Sequence, residues 1–298
     1  MQLKSSTASS AIPLGRKAPA TRSLRRPIAT AVRYCVLLIA ALAVVYPFFL
    51  MTAGSLKSDS GFMADPVGWA RPAHPENYRL AWQEARIPRF TGNSLVVAAG
   101  TVLLTLGTAS TAAFALSRGR FPGRKAVYLA FVLLLTIPVQ IYIIPLYVIV
   151  VRARLADNLL GLILPYTAGN LPLAVFLFKT YFDQLPVELL DAARMDGCGR
   201  LMTFWRVVLP LSRPILATVT IFTFVQAWNE FFLALVFIHN PDLQTLPLGL
   251  QAFFVNQFET RFPQLFATLV LSIGPVLAVY LVLQRQFIAG LTAGAVKG

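Results

Sequence analysis

Four of the twelve acids of this chain cluster in one stretch, residues 183–213. Asp183, Glu188, Asp191 and Asp196 stand there among Ala192, Ala193, Gly197, Leu209 and Pro210. An enzyme would want a histidine, an activated nucleophile or a metal-ligand set beside such carboxylates. Both histidines, His74 and His239, lie alone in other loops, and Cys35 and Cys198 have no metal spacing. The C-terminal Gly294-Ala295-Val296-Lys297-Gly298 is not a phosphate-binding loop, because it lacks the leading glycine and the Ser or Thr after lysine. The chain therefore reads as having no catalytic site, no metal and no bound cofactor of its own. What the stretch can do is bind another surface. Pro186 opens a helix, and Glu188 suits its first turn, where an anion meets the positive end of the helix dipole. Leu189, Ala192 and Ala193 fall on one face at helical spacing, and Gly197 ends the helix. A second amphipathic piece follows, with Leu201, Phe204, Trp205 and Val208 on one side, and Leu209-Pro210 stops it. The plain alternative is a passive linker lying at a membrane surface.

The elements around this elbow explain why it would lie there. The 298 residues are 57% hydrophobic and only 13% charged, about half the charge of an ordinary soluble domain. Apolar runs of roughly 20 residues are long enough to cross a bilayer. Six are expected, at 32–53, 93–116, 127–151, 159–182, 214–238 and 266–288. The fold class is thus all-α and polytopic, with six transmembrane helices. Residues 1–31, rich in Ser, Ala, Pro and Arg, read as a flexible arm, and 290–298 as a short tail. The membrane-spanning body covers 32–289, with polar loops at 54–91, 183–213 and 239–264. A cleaved leader is the rival reading of the first run, given the small residues at Thr52-Ala53-Gly54. Its apolar stretch is longer than a leader's and contains Pro47, which favours a retained span.

Charge orients the chain. With the N-terminus inside, the inner segments hold 18 Lys and Arg against 4 acids, and the outer ones 8 against 7. Cytoplasmic loops carry such an excess, so both termini and the 183–213 loop are expected on the cytoplasmic side of the membrane. The net charge of +14 follows from this bias, and nucleic acid is not a partner.

The spacing of Asp191-Ala192-Ala193, Gly197, Val207 and Leu209-Pro210 resembles the signature E-A-A-x3-G-x9-I-x-L-P of permease subunits in binding-protein-dependent ATP-binding-cassette importers. Asp191 replaces Glu on a shorter arm, and Val207 replaces Ile. Asn77-Tyr78, Phe121-Pro122-Gly123, Trp228-Asn229-Glu230-Phe231 and the tail from Gly290 to Gly298 bring the chain close to the sugar-transporting branch, maltose-type G subunit. The resemblance implies the type I importer fold and docking of a cytoplasmic ATPase on Glu188, Asp191, Ala192, Ala193, Asp196, Gly197, Leu209 and Pro210. It also implies two ATPase subunits holding ATP and Mg, a second homologous permease subunit in a heterodimer, an extracytoplasmic solute-binding protein, and membrane lipid around the whole.

Gln140, Tyr142, Asn170, Gln226, Asn229 and Glu230 are polar groups inside the expected spans, with Pro138, Pro145 and Pro172 nearby. Broken helices can line a midplane site, and sugars need hydroxyl partners with apolar walls. Equally, such groups can hold helices together. Glu230, the one acid within an expected span, reads either as a gate or as a packing contact. A sugar, a polyol and glycerol 3-phosphate remain open as cargo. A secondary transporter would need paired buried charges or a repeat, and neither is evident.

Overall fold

The structure, a computed structural model, describes residues 25–84, 86–255 and 261–295. Its elements in order are α1 (Arg25–Ser55), α2 (Asp59–Ala64), α3 (Glu76–Glu84), α4 (Ile87–Arg118), α5 (Arg124–Leu134), α6 (Val139–Arg152), α7 (Leu160–Asp183), α8 (Val187–Met195), α9 (Arg200–Leu211), α10 (Arg213–Asn229), α11 (Phe232–Phe237), α12 (Leu246–Val255) and α13 (Phe262–Ala295). No strand occurs among the described residues. The chain divides into two units at Phe48 and Phe49. The described part of the first is the apolar body of α1; the second contains everything after it.

Among the described residues four helices are long and apolar enough to cross a membrane alone: Thr30–Ser55 within α1, α4, α7, and Phe262–Gln286 within α13. Two bent pairs qualify only when each is taken together, α5 with α6 at 105° and α9 with α10 at 79°. The expected straight span at 127–151 is therefore broken. Pro138 is the cause: it has no N–H to donate, and its ring pushes Ile137 out of the helical region. The expected span at 214–238 is likewise interrupted, since α10 stops at Asn229 and the short α11 begins at Phe232. Helices also run past the expected limits. α1 starts at Arg25, inside the stretch read as an arm, and α13 continues to Ala295, into the stretch read as a tail. Residues 1–24 and 296–298 of those stretches, and 256–260 of the loop at 239–264, lie outside the described residues.

Within the second unit α4 packs most extensively against α7, and α10 against α4 and α13. Ser94, Ala98, Thr101, Thr105, Ala109 and Ala113 make a buried stripe of small residues along α4. Small residues let backbones approach where lipid gives helices no hydrophobic reason to associate. Two core clusters mark the ends of the bundle. One joins Phe90, Val97, Leu162, Tyr166, Trp228 and Phe237; the other joins Ala113, Leu116, Phe178, Phe182, Ile215 and Val219. The starts of α4 and α7 share the first cluster and their ends share the second, so these helices run parallel and α10 runs back between the same ends. The second cluster also takes in Leu190, Phe204 and Val208, from α8 and α9.

At the opposite end, side chains from the loops close the helix termini. Arg86 reaches Asp242 at 2.7 Å, and Asn93 donates to the carbonyls of Asp242 and Gln244. Asp157 accepts from the N–H groups of His239 and Asn240, which hold its carboxyl below the usual carboxylate range. Asn77 donates at 2.8 Å to the carbonyls of both Ser55 and Lys57, closing the C-terminal end of α1. Replacing Asn77 by Ala should lower the stability of the detergent-purified protein by about 1–2 kcal/mol, read from its thermal unfolding midpoint. Asn77→Asp offers acceptors and no donor, and should do no better.

Candidate functional site

The elbow between α7 and α10 is built from its turns. α8 ends in a Schellman motif: Cys198 N–H donates to Ala193 O at 2.9 Å, and Gly197 N–H to Arg194 O at 3.0 Å. Gly197 sits at φ +80°, where a β-carbon is penalised. The last carbonyls of α8 are thereby satisfied within the loop. α9 does not stop at Leu209-Pro210 as expected. It widens over Phe204–Val208 into a π turn and carries on through Pro210 to Leu211. A wider turn just before a proline moves the carbonyl its ring would strike. Ser212, fully buried, then makes the corner into α10, its hydroxyl donating to Val208 O at 2.6 Å.

The faces differ from those read along the sequence. Leu190 and Ala193 turn inward, 4% and 6% exposed, while Leu189 and Ala192 are exposed. On α9, Phe204 and Val208 are buried, whereas Leu201 and Trp205 face out. The outward edge of α8 thus carries Glu188, Leu189, Asp191, Ala192 and Met195, with Asp196 and Gly197 at its end. Asp191 pairs with Arg194 at 2.8 Å, and both side chains stay more than half exposed. A pair so exposed adds little stability, which leaves Asp191 free to exchange partners.

Two residues that sequence reasoning did not single out hold the base of the loop. Arg118, at the end of α4, donates to Phe182 O at 2.6 Å and to Leu185 O at 2.7 Å, the carbonyls leading from α7 into Pro186. A guanidinium there also complements the negative end of α7. Tyr181 donates to Leu211 O at 3.0 Å, tying the far end of α9 to the same helix. Beside them Ser117 and Lys179 both bond Asp183. A basic residue in the last turn of α4 was the available signal for Arg118; its targets lie 64 and 67 positions away.

A cleft of about 600 Å³ opens along α7 and α10 at the break between α5 and α6. It brings together Tyr142, Asn170, Gln226 and Glu230 on mostly apolar walls, and adds Tyr166. Gln140 and Asn229 are not among its lining residues; Asn229 bonds back to Val225 O. Asn170 donates to Tyr166 O at 2.8 Å. Glu230 accepts from Leu233 N–H at 2.9 Å, Ala234 N–H at 3.2 Å and the Tyr166 hydroxyl. Its carboxylate closes the first turn of α11 and so stabilises the helix break, while its position keeps it on the cleft wall. Among the described residues no group of three His, Cys, Asp or Glu stands together as a metal site.

A polytopic helical bundle with a cleft at broken helices and a paired-helix elbow at one end is a membrane permease. The family described as "binding-protein-dependent transport system inner membrane component" matches residues 104–292, and the chain belongs to it. Members of this family are transport subunits rather than enzymes. The chain is 36% identical over 261 residues to the probable ABC transporter permease protein YurM of Bacillus subtilis, covering 86% of this chain and 85% of that protein. It is 32% identical over 268 residues to the diacetylchitobiose uptake system permease protein NgcG of Streptomyces coelicolor, covering 90% and 89%. The fold matches a chain in the crystal structure of a bacterial ABC transporter involved in the import of the acidic polysaccharide alginate, with a TM-score of 0.77, 24% identity, and coverage of 90% and 100%.

The inward turn of Ala193 makes a prediction about stability. Ala193→Trp overfills the seat of α8 and should destabilise the protein by about 1–3 kcal/mol. Ala192→Trp, on the exposed edge, should leave the unfolding midpoint in detergent within a degree or two of wild type.

Proposed function

We propose that this subunit passes a carbohydrate, handed over by an extracytoplasmic solute-binding protein, through the bilayer in an importer driven by a separate ATPase. Two ATPase copies would dock from the cytoplasmic side and hold the ATP and Mg, one of them seated against the exposed edge of α8 and the other on the second permease. Glu188, Asp191, Ala192, Asp196 and Gly197 lie on or end that edge, whereas Ala193 backs it from within. Leu209 and Pro210 belong to α9, the arm that returns to the membrane. The carrying observation is the geometry of the elbow: a fixed turn at Gly197, an exposed small-residue edge, and a base tied by Arg118 and Tyr181 to α7. Because α7 also lines the cleft, a push on the elbow has a continuous helix through which to reach the cleft.

Several relatives bear the names of uptake systems for diacetylchitobiose, arabinooligosaccharides and melibiose, raffinose or stachyose, which supports a carbohydrate cargo. The cleft supports it too. Apolar walls with Tyr142, Asn170 and Gln226 suit hydroxyl groups, and no Lys or Arg is among its lining residues to meet a phosphate. Glycerol 3-phosphate is the weaker reading for that reason. One such subunit supplies one wall of a pathway, so a second, homologous permease would complete a heterodimer.

Three variants test the coupling role in reconstituted transporter. Ala192→Trp should weaken retention of the ATPase subunits by about tenfold or more, as a bulky group in a close-packed contact would. Gly197→Val forces a β-branched residue to positive φ, and should give ATP hydrolysis with little uptake. Normal coupled uptake by both would identify the elbow as a passive linker. Arg118→Ala should keep the ATPase bound but raise the number of ATP molecules hydrolysed per solute moved. An unchanged ratio would remove Arg118 from the coupling route while leaving the docking edge intact.

A further inference from the structure

The turn between α4 and α5 holds a second feature that neither the docking edge nor the cleft uses. A shallow groove of about 610 Å³ is lined by Gly119, Arg120, Phe121, Gly123, Arg124, Lys125 and Ala126. Three of these are cations and none is an acid. The turn is held tightly: Gly119 N–H donates to Ala115 O at 2.8 Å, and Arg124 donates back to Gly119 O at 2.9 Å. Arg120 and Lys125 are exposed, and neither enters an ion pair with a described residue.

The groove opens where an apolar, outward-facing helix begins. α5 buries none of its residues, and Val127, Leu129 and Leu133 are between 44% and 56% exposed. Such a surface is apolar enough to lie against acyl chains. The groove therefore sits at the depth where headgroups lie, with Phe121, 42% exposed, beside the cations. Aromatic residues favour that interfacial level, and clustered Lys and Arg there attract anionic lipid.

We infer that this groove binds the phosphodiester of an anionic phospholipid, with Arg120 and Lys125 contacting the phosphate from either side of the turn that Arg124 fixes, and the lipid's chains lying along α5. The recognised chemistry is a phosphate monoanion attached to two acyl chains. Free phosphate would satisfy the cations but leave the apolar flank of α5 unused. This inference does not depend on which solute is carried or on where the ATPase docks.

The test uses the assembled transporter in nanodiscs of phosphatidylcholine, alone or with roughly one part in five phosphatidylglycerol. Bound lipid is counted by native mass spectrometry. Wild type should retain phosphatidylglycerol in preference to phosphatidylcholine. Arg120→Gln with Lys125→Gln should weaken that retention by about 25-fold, at roughly fivefold for each cation. A charge-matched control, Arg152→Gln with Arg154→Gln, lies at the end of α6 and in the turn after it and should retain the lipid as wild type does. Both test side chains are exposed, so the unfolding midpoint in phosphatidylcholine alone should not move. Equal retention of the two lipids, an equal fall in the control pair, or displacement by millimolar inorganic phosphate would each overturn the proposal.

Discussion

In hydrocarbon no water can take up a stray backbone N–H or C=O, so every interruption of a spanning helix must be closed from within the protein. This constraint organises the molecule. The helix break after Asn229 survives because Glu230 accepts from Leu233 and Ala234 N–H, and Tyr166 donates to the same carboxylate from across the bundle. The corner at Ser212 survives because its hydroxyl takes up Val208 O. The far end of α1 is closed by the amide of Asn77. Each repair is a polar side chain placed where it can serve the backbone, and several stand beside features that function needs.

α7 is the element on which the two candidate working regions converge. Its middle, from Pro165 to Leu173, walls the cleft, and its last turn is gripped by Arg118 and joined to α9 by Tyr181. The small-residue stripe of α4 seats α7 closely along its length. A tightly seated helix moves as a body, because close-packed interiors resist local compression. Force applied at the loop end therefore has few ways to dissipate before reaching the cleft.

Much of this was legible in the sequence because hydropathy and glycine are strong signals. Apolar runs located α1, α4, α7 and α13, and the spacing around Gly197 located the elbow. The direction in which α8 faces was not legible. Leu189, Leu190, Ala192 and Ala193 give a short helix apolar residues on several sides, so periodicity alone cannot choose between 189/192/193 and the observed 190/193. Phe204 and Trp205 posed the same difficulty, worsened by a π turn that shifts the phase in the middle of α9. Of the six polar residues read as pathway candidates, the structure draws Tyr142, Asn170, Gln226 and Glu230 to one cleft and leaves out Gln140 and Asn229. The contact between Tyr166 and Glu230 spans 64 positions, and no local pattern announces it.

The π turn in α9 has a consequence for how the elbow tolerates change. Such a turn contains one residue more than the α turn it replaces. Removing one residue from Phe204–Val208 would let α9 become regular with little change of phase beyond it, whereas removing one from the regular turn before it would swing everything beyond by about 100° and draw it back by about 1.5 Å. In the second case Leu211 would no longer offer its oxygen to Tyr181, and Ser212 would leave its buried corner. The interval between Gly197 and Pro210 is accordingly a matter of rotational phase as much as of length. Substitutions along the exposed side of α9 preserve that phase, and so does loss of the extra residue of the π turn, whereas a one-residue deletion in a regular turn resets it.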